Sequence, residues 1–355
     1  MQRRILIPLL VMAAVILFWV LRQRHRRLPE AYVSERTTTL WSSTAQVRQP
    51  VSTLHYGEKV SVITRRGELA SVRTAQGLSG WLEARLLMEP ALWQRSAQLL
   101  AQARTMPVQA RGHTKVLSNV RVEVGRSGAR IYRFSRAAPV EILARAVVEW
   151  TPPAGEESGA GGKDAEQEQA PRREDWLLVR GQASTAVGLG GTARPEETGA
   201  PPREEEAVPV AGWVLSHFVE LDSPGPVRDL ASSSGIHVIG WFELDRVSGA
   251  GEGEKPQYLA VGTRGGEGQA CDFTLLRVYT WGSRRKRYET AYLESDVCGF
   301  LPVRVSRDAA RDPEFRFQAL GRAGKEERLY RVRQTVVRRI REEKQAAAKG
   351  GHKAP

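Results

Sequence analysis

The chain has 355 residues, of which 41% are hydrophobic and 26% charged, with 53 Lys and Arg against 40 Asp and Glu and a formal charge of +13. Residues 1–30 carry +5 and residues 322–355 carry +7, so the stretch between them is nearly neutral. That distribution argues against a nucleic-acid-binding domain, which carries its own basic face, and no nucleic-acid partner is expected.

Ile5 to Leu21 run for 17 residues without a charge, with Arg3 and Arg4 before them and Arg22, Arg24, Arg26 and Arg27 after. At about 1.5 Å per residue a helix of this length reaches ~26 Å, close to one bilayer crossing. Residues 1–30 are therefore expected to be a single membrane-spanning helix with a basic flank. Val20-Leu21-Arg22-Gln23 offers no small-residue cleavage site, and the first cysteine is Cys271. The arginines at 22–27, read strictly, would keep the body in the cytoplasm.

After residue 30 the pattern is mostly short strands. Lys59–Thr64 alternates, with Val60 and Val62 on one face, and Arg65–Glu68 turns into Leu69–Thr74. Gly80-Trp81-Leu82 opens a third strand, so 31–90 reads as a small antiparallel barrel. Pro90–Thr105 is expected to be a helix, with Leu92, Trp93, Leu99, Leu100 and Ala103 on one broad face, inside a linker at 91–119. The strand grammar then recurs over 120–222. Pro139–Trp150 alternates, Trp176–Gly181 matches Leu69–Thr74, and Ala211-Gly212-Trp213-Val214 matches Ser79-Gly80-Trp81-Leu82. Residues 151–175 and 182–208, rich in Gly, Pro, Ala and Glu, are expected to be disordered insertions at hairpin tips.

Leu54, Gly57, Val60, Val62, Val72, Arg73, Gly77, Gly80 and Trp81 in the first copy, and Val140, Ile142, Trp176, Val179, Arg180, Gly212 and Trp213 in the second, carry a resemblance. The spacing of Gly-Trp from a preceding Val-Arg strand, seen twice, resembles the bacterial Src-homology-3 domain. The resemblance covers about half of the chain. Leu69-Ala70 stands where family members often show Trp or Tyr, and the second copy departs through its insertions. It implies two SH3-like barrels in an envelope protein, with the body outside the cytoplasm, binding peptide or cell-wall material.

Residues 227–340 read as an antiparallel meander of seven strands: Ile236–Leu244, Gln257–Thr263, Asp272–Trp281, Tyr288–Glu294, Gly299–Val305, Glu314–Leu320 and Arg328–Arg333. Arg284–Arg287 reads as a solvated turn, and 341–355 as a disordered basic tail. Cys271 and Cys298 flank the hairpin formed by the third and fourth of these strands, so a disulfide is geometrically feasible; two separate buried thiols is the alternative. Without a neighbouring His they make no zinc pattern. The six histidines are scattered, and His237, on an apolar strand, is expected to be a packed core residue. No Gly-x-Ser-x-Gly, Walker loop or His-Glu-x-x-His occurs.

The fold class expected is mainly β: one N-terminal transmembrane helix, two SH3-like barrels and a C-terminal antiparallel β domain. The candidate binding residues are Tyr56, Trp81, Tyr132, Trp176 and Trp213, since aromatic-lined grooves suit extended peptides, with Tyr56 and Tyr132 the better surface candidates. No catalytic residue, metal or cofactor is assigned. The expected protein is a non-catalytic, membrane-anchored envelope scaffold whose partners are the membrane and a peptide, a cell-wall polymer or an envelope protein. The rival readings are an envelope enzyme with its active site in 227–340 and a cytoplasm-facing scaffold.

Overall fold

The computed structural model describes residues 28–151, 171–183, 207–249, 251 and 253–340. The chain divides into two compact units, Met1–Arg95 with Ala183–Val208 and Ser96–Gln182 with Pro209–Pro355. Each has its own core.

The first unit is a seven-stranded antiparallel sheet: β1 (Glu30–Val33), β2 (Thr37–Trp41), β3 (Pro50–His55), β4 (Lys59–Arg66), β5 (Leu69–Thr74), β6 (Ser79–Glu83) and β7 (Leu87–Met88), in the order β3-β2-β6-β5-β4-β1-β7. Alternation sets the inner face: Val60, Val62, Ala70 and Val72 turn inward and join Leu40, Leu54 and Leu82 in the core. The Gly-Trp motif has a steric cause. A Cβ on Gly80 would lie 2.6 Å from the Trp41 carbonyl oxygen, so only glycine lets β6 pass this close to β2.

In the second unit, α1 (Pro90–Thr105), whose first residues belong to the first unit, packs Leu99, Leu100 and Ala103 against Leu143, Leu178 and Ala211. These come from a second seven-stranded sheet: β8 (Ala110–Thr114), β9 (Ser118–Arg121), β10 (Arg130–Phe134), β11 (Pro139–Trp150), β12 (Arg172–Ala183), β13 (Val208–Leu215) and β14 (Val219–Leu221). Its order, β10-β9-β13-β12-β11-β8-β14, repeats the first position for position. The glycine repeats with it: a Cβ on Gly212 would meet the Arg121 carbonyl oxygen at 2.7 Å.

The rest of this unit is α2 (Gly225–Ser233) and a third antiparallel sheet in sequential order: β15 (His237–Ser248), β16 (Glu254–Thr263), β17 (Phe273–Gly282), β18 (Arg287–Arg307), β19 (Pro313–Gly321), β20 (Gly324–Arg333) and β21 (Val336–Ile340). One face buries Leu259, Phe273, Leu276, Phe315, Phe317 and Tyr330. Near its N-terminal end the other face is covered by α2, whose Val227 and Ala231 pack against Tyr258, Tyr279, Ile236 and Leu275.

Several expectations are corrected here. Among the described residues no helix is long and apolar enough to cross a membrane; of the segment read as a transmembrane helix and its flank, residues 1–30, residues 1–27 lie outside the described residues and Glu30 begins β1. The fold class is thus mainly β with three antiparallel sheets. Residues 172–175, assigned to an insertion, extend β12, pairing from Val147↔Asp175 out to Trp150↔Arg172; Val208 likewise opens β13. The remainder of both insertions, 152–170 and 184–206, and the basic tail 341–355 lie outside the described residues. Tyr288–Glu294 and Gly299–Val305 are one continuous strand, β18, and the seventh strand is Val336–Ile340 instead. Arg287 begins β18 as well, so the turn is shorter than its basic cluster.

Candidate functional site

Within the second unit, the second and third sheets are joined by buried polar groups. Gln109, fully buried just before β8, accepts from the Val303 N–H through Oε1 at 2.7 Å. Its Nε2 donates to the carbonyls of Pro107 (2.8 Å) and Val303 (3.3 Å), and its own carbonyl accepts from the Trp241 N–H at 3.0 Å. The Gln109 side chain thus has a partner for its amide oxygen and its nitrogen, as a buried amide requires.

Arg145 on β11 is the second tie. Its side chain is 3% exposed and donates to Asp175 Oδ1 at 2.7 Å and Asp272 Oδ1 at 3.0 Å. Its two terminal nitrogens also reach the carbonyls of Gln269 and Cys271. Burial pushes the Asp272 carboxyl up from its ordinary value, while the Leu301 N–H and the Arg145 guanidinium pull it down. This guanidinium fork holds the loop between β16 and β17 against β11 and β12.

The loop forms one wall of a cleft of about 360 Å³. Two sheet-edge strands line it as well: Val219 and Leu221 from β14, and His237, Val238 and Ile239 from β15. Ile142 and Leu177 add apolar surface, and Lys115, Ser216, His217 and Glu267 add polar groups. Ser216 Oγ donates to Glu267 Oε1 at 2.9 Å. Next to Lys115 in the chain, Val116 and Leu117 are exposed. His237, the first residue of β15, is exposed and lines this cleft, where the sequence suggested a packed core residue.

The aromatic candidates do not assemble into one groove. Tyr56 is 7% exposed and meets Trp93 edge-on at 5.7 Å, while Trp93 stacks on Tyr32 at 4.9 Å. Tyr132, 3% exposed, packs on Phe134, and Trp176 is also 3% exposed. These three are buried, so their expected surface role is corrected. Trp213 is half-buried against the α1 cluster. Trp81 pairs across the strands with Trp41, and Arg66 and Arg48 lie over the two rings at 5.6 and 4.5 Å. The groove beside them holds only about 100 Å³. Cys271 and Cys298 form a disulfide, with Cα atoms 5.1 Å apart; Cys298 sits within β18 rather than beyond a strand end.

Sequence spacing had no means of finding the cleft. Its residues come from both sheets and are separated by up to 152 positions, from Lys115 to Glu267. Nor could it pair His113 with Asp222, whose Nδ1 and Oδ1 lie 2.7 Å apart across β8 and the residue after β14. The one local signal was the density of glycine at 265, 266 and 268, which marks a loop without saying what it touches.

No protein-family model matches the chain, and no curated protein gives a significant match. The Src-homology-3 resemblance therefore has no family match behind it, and what the structure shows is two sheets of identical strand order. Among solved structures the chain is similar to a crystal structure of an NlpC/P60 family protein from Bacillus cereus, at 11% identity and a TM-score of 0.20. That alignment covers 58% of this chain and spans 62% of the other's length, and a likeness of this size shows neither fold nor function.

Proposed function

We propose that this protein is a non-catalytic binding protein that holds an extended peptide segment of a partner protein in the cleft between its second and third sheets. The observation that carries the reading is that two sheet edges, β14 and β15, border one apolar cleft. An edge strand presents unpaired backbone groups to an added strand, and side-chain pockets beside it select alternate residues of that strand. Ile142, Leu177, Val219, Leu221, Val238 and Ile239 offer the apolar pocket. The exposed Val116 and Leu117 extend the apolar surface along the chain from Lys115. Ser216, the hydroxyl nearest in type to a nucleophile, donates to a carboxylate rather than to an imidazole, which favours binding over acyl transfer.

The test is selection of extended peptides from a displayed library on the intact protein, followed by affinity measurement. Leu221→Asp, which puts a charge in the pocket, is expected to weaken the selected peptides at least about tenfold. Leu320→Asp, at an exposed position on β19 away from the cleft, is expected to leave affinity unchanged. Equal affinity in wild type and Leu221→Asp would overturn the proposal.

A further inference from the structure

The wall of the cleft is a loop, Arg264 to Asp272, whose position depends on ties rather than on regular structure. Gly265, Gly266 and Gly268 give it high conformational freedom when untied. Three kinds of contact hold it to the second sheet. The Gly268 N–H donates to Asp175 Oδ1 at 2.8 Å. Arg145 donates to the Gln269 and Cys271 carbonyls and to Asp272. Glu267 accepts from Ser216. The fit at Gly268 is close: φ is +80°, and a Cβ there would lie 2.5 Å from Arg173 Cβ. At the loop's far end, Cys271 is bonded to Cys298 on β18, next to the Asp272 N–H donating to the Gly299 carbonyl at 2.9 Å.

We infer that the Cys271–Cys298 disulfide is a redox modification site that controls the cleft, taking as its co-reactant a dithiol reductant. The inference rests on the peptide-binding reading for its consequence, and on the loop geometry alone for its mechanism. Both cysteines are half-buried, not sealed in a core. A thiolate of the reductant attacks one sulfur and breaks the Cys271–Cys298 bond, forming a mixed disulfide. The reductant's second thiolate resolves it. The two cysteines gain two electrons and two protons and end as thiols, and the reductant ends as a disulfide. The loop then loses its covalent anchor one residue before the Asp272 carboxylate that Arg145 grips. Its glycines regain freedom, and a peptide must re-order the wall in order to bind.

The experiment compares oxidised and dithiothreitol-reduced intact protein, reduction being verified by a mass gain of about two hydrogens. Amide exchange at Gly268 is read first, without any ligand, and is expected to speed up at least about tenfold on reduction. Affinity for a library-selected peptide is expected to fall about tenfold in the same step. Gly268→Ala keeps both cysteines but displaces the loop, so it should bind weakly in either redox state. Unchanged Gly268 exchange in fully reduced protein overturns the inference whatever the peptide does. Faster exchange with unchanged affinity overturns the control of binding. If no peptide binds even the oxidised protein, the cleft reading and its control fall together, while the exchange result still decides the loop mechanism.

Discussion

At the scale of single residues, the groups that matter most are polar and buried. Arg145 satisfies two carboxylates and two carbonyls from inside the junction. Removing it leaves Asp175 and Asp272 as uncompensated buried charges, which typically costs about 3–5 kcal/mol. Arg145→Met is therefore expected to lower the urea midpoint sharply; a midpoint shift equivalent to under about 1 kcal/mol would show that the fork does not hold the junction. A second polar group lies in the third sheet. Tyr292 and Tyr330 both donate to Glu294 Oε2 at 2.8 Å. Burial, and then the hydrogen bond to Glu294, push the Tyr292 phenol up to about 12, and the same two causes raise Tyr330. In the unfolded chain these phenols ionise near their ordinary value of about 10. Between that value and the raised one the folded state holds more protons than the unfolded, so stability falls as pH rises. Urea midpoints at about pH 9 and pH 11 should drop more in wild type than in the Tyr292→Phe/Tyr330→Phe double variant. Equal drops would remove these phenols as the cause.

At the scale of elements, the long hairpin of β11 and β12 pairs without interruption from Ala144↔Leu178 to Trp150↔Arg172. Its stability lies in that ladder and in the packing of Leu143, Ala144 and Leu178 against α1. That ladder runs in register to its last pair, Trp150↔Arg172, and residues 152–170 connect its ends. Replacing them with an Asn-Gly turn is expected to keep a single cooperative unfolding transition and shift stability by no more than about 1 kcal/mol. Loss of cooperativity on denaturant titration would show that the insertion supports the sheet. The elements also show why strand alternation was readable and strand length was not. Alternation follows from which face is buried, and Val60 and Val62, read on one face of their strand, are both buried. Length depends on partners. Arg172 to Asp175 look like a charged loop in isolation, yet they pair with Val147 to Trp150. Ser295 and Asp296 look like a turn between two strands, yet β18 runs through them, with Asp296 adopting a φ of +61°. α2 was missed because it is only nine residues long and opens on Gly225-Pro226 directly after Pro224, a Gly/Pro cluster that reads as a turn.

At the scale of the molecule, the disulfide bears on where the body works. Disulfides persist in oxidising spaces and are uncommon in the cytosol, so the state of this bond in cells reads out the compartment. Thiol labelling of acid-quenched intact cells should find Cys271 and Cys298 blocked until reductant is added. Two freely labelled thiols would place the protein in a reducing compartment. Closing a loop of this separation (27 residues) contributes roughly 2–4 kcal/mol, so a Cys271→Ser/Cys298→Ser protein is expected to unfold at lower urea while keeping its β-sheet circular dichroism.

The amino-acid pattern alone was enough for the β character of the chain, the helix at Pro90–Thr105 and the recurrence of a Gly-Trp strand. These are local: alternation, helical periodicity and a glycine at a fixed step are properties of neighbouring residues. Tertiary structure decided everything that brings distant residues together. It buried Tyr56, Tyr132 and Trp176, which composition could offer as surface aromatics, because whether a ring meets solvent depends on the element lying over it, such as the Trp93 turn of α1 over Tyr56. It aligned β14 with β15 to make the cleft, and it set Arg145 on β11 against Asp272, 127 residues away. A side chain's charge is written in the sequence, but its partner, and with it the difference between a solvated arginine and one that holds two sheets together, exists only once the chain has closed on itself.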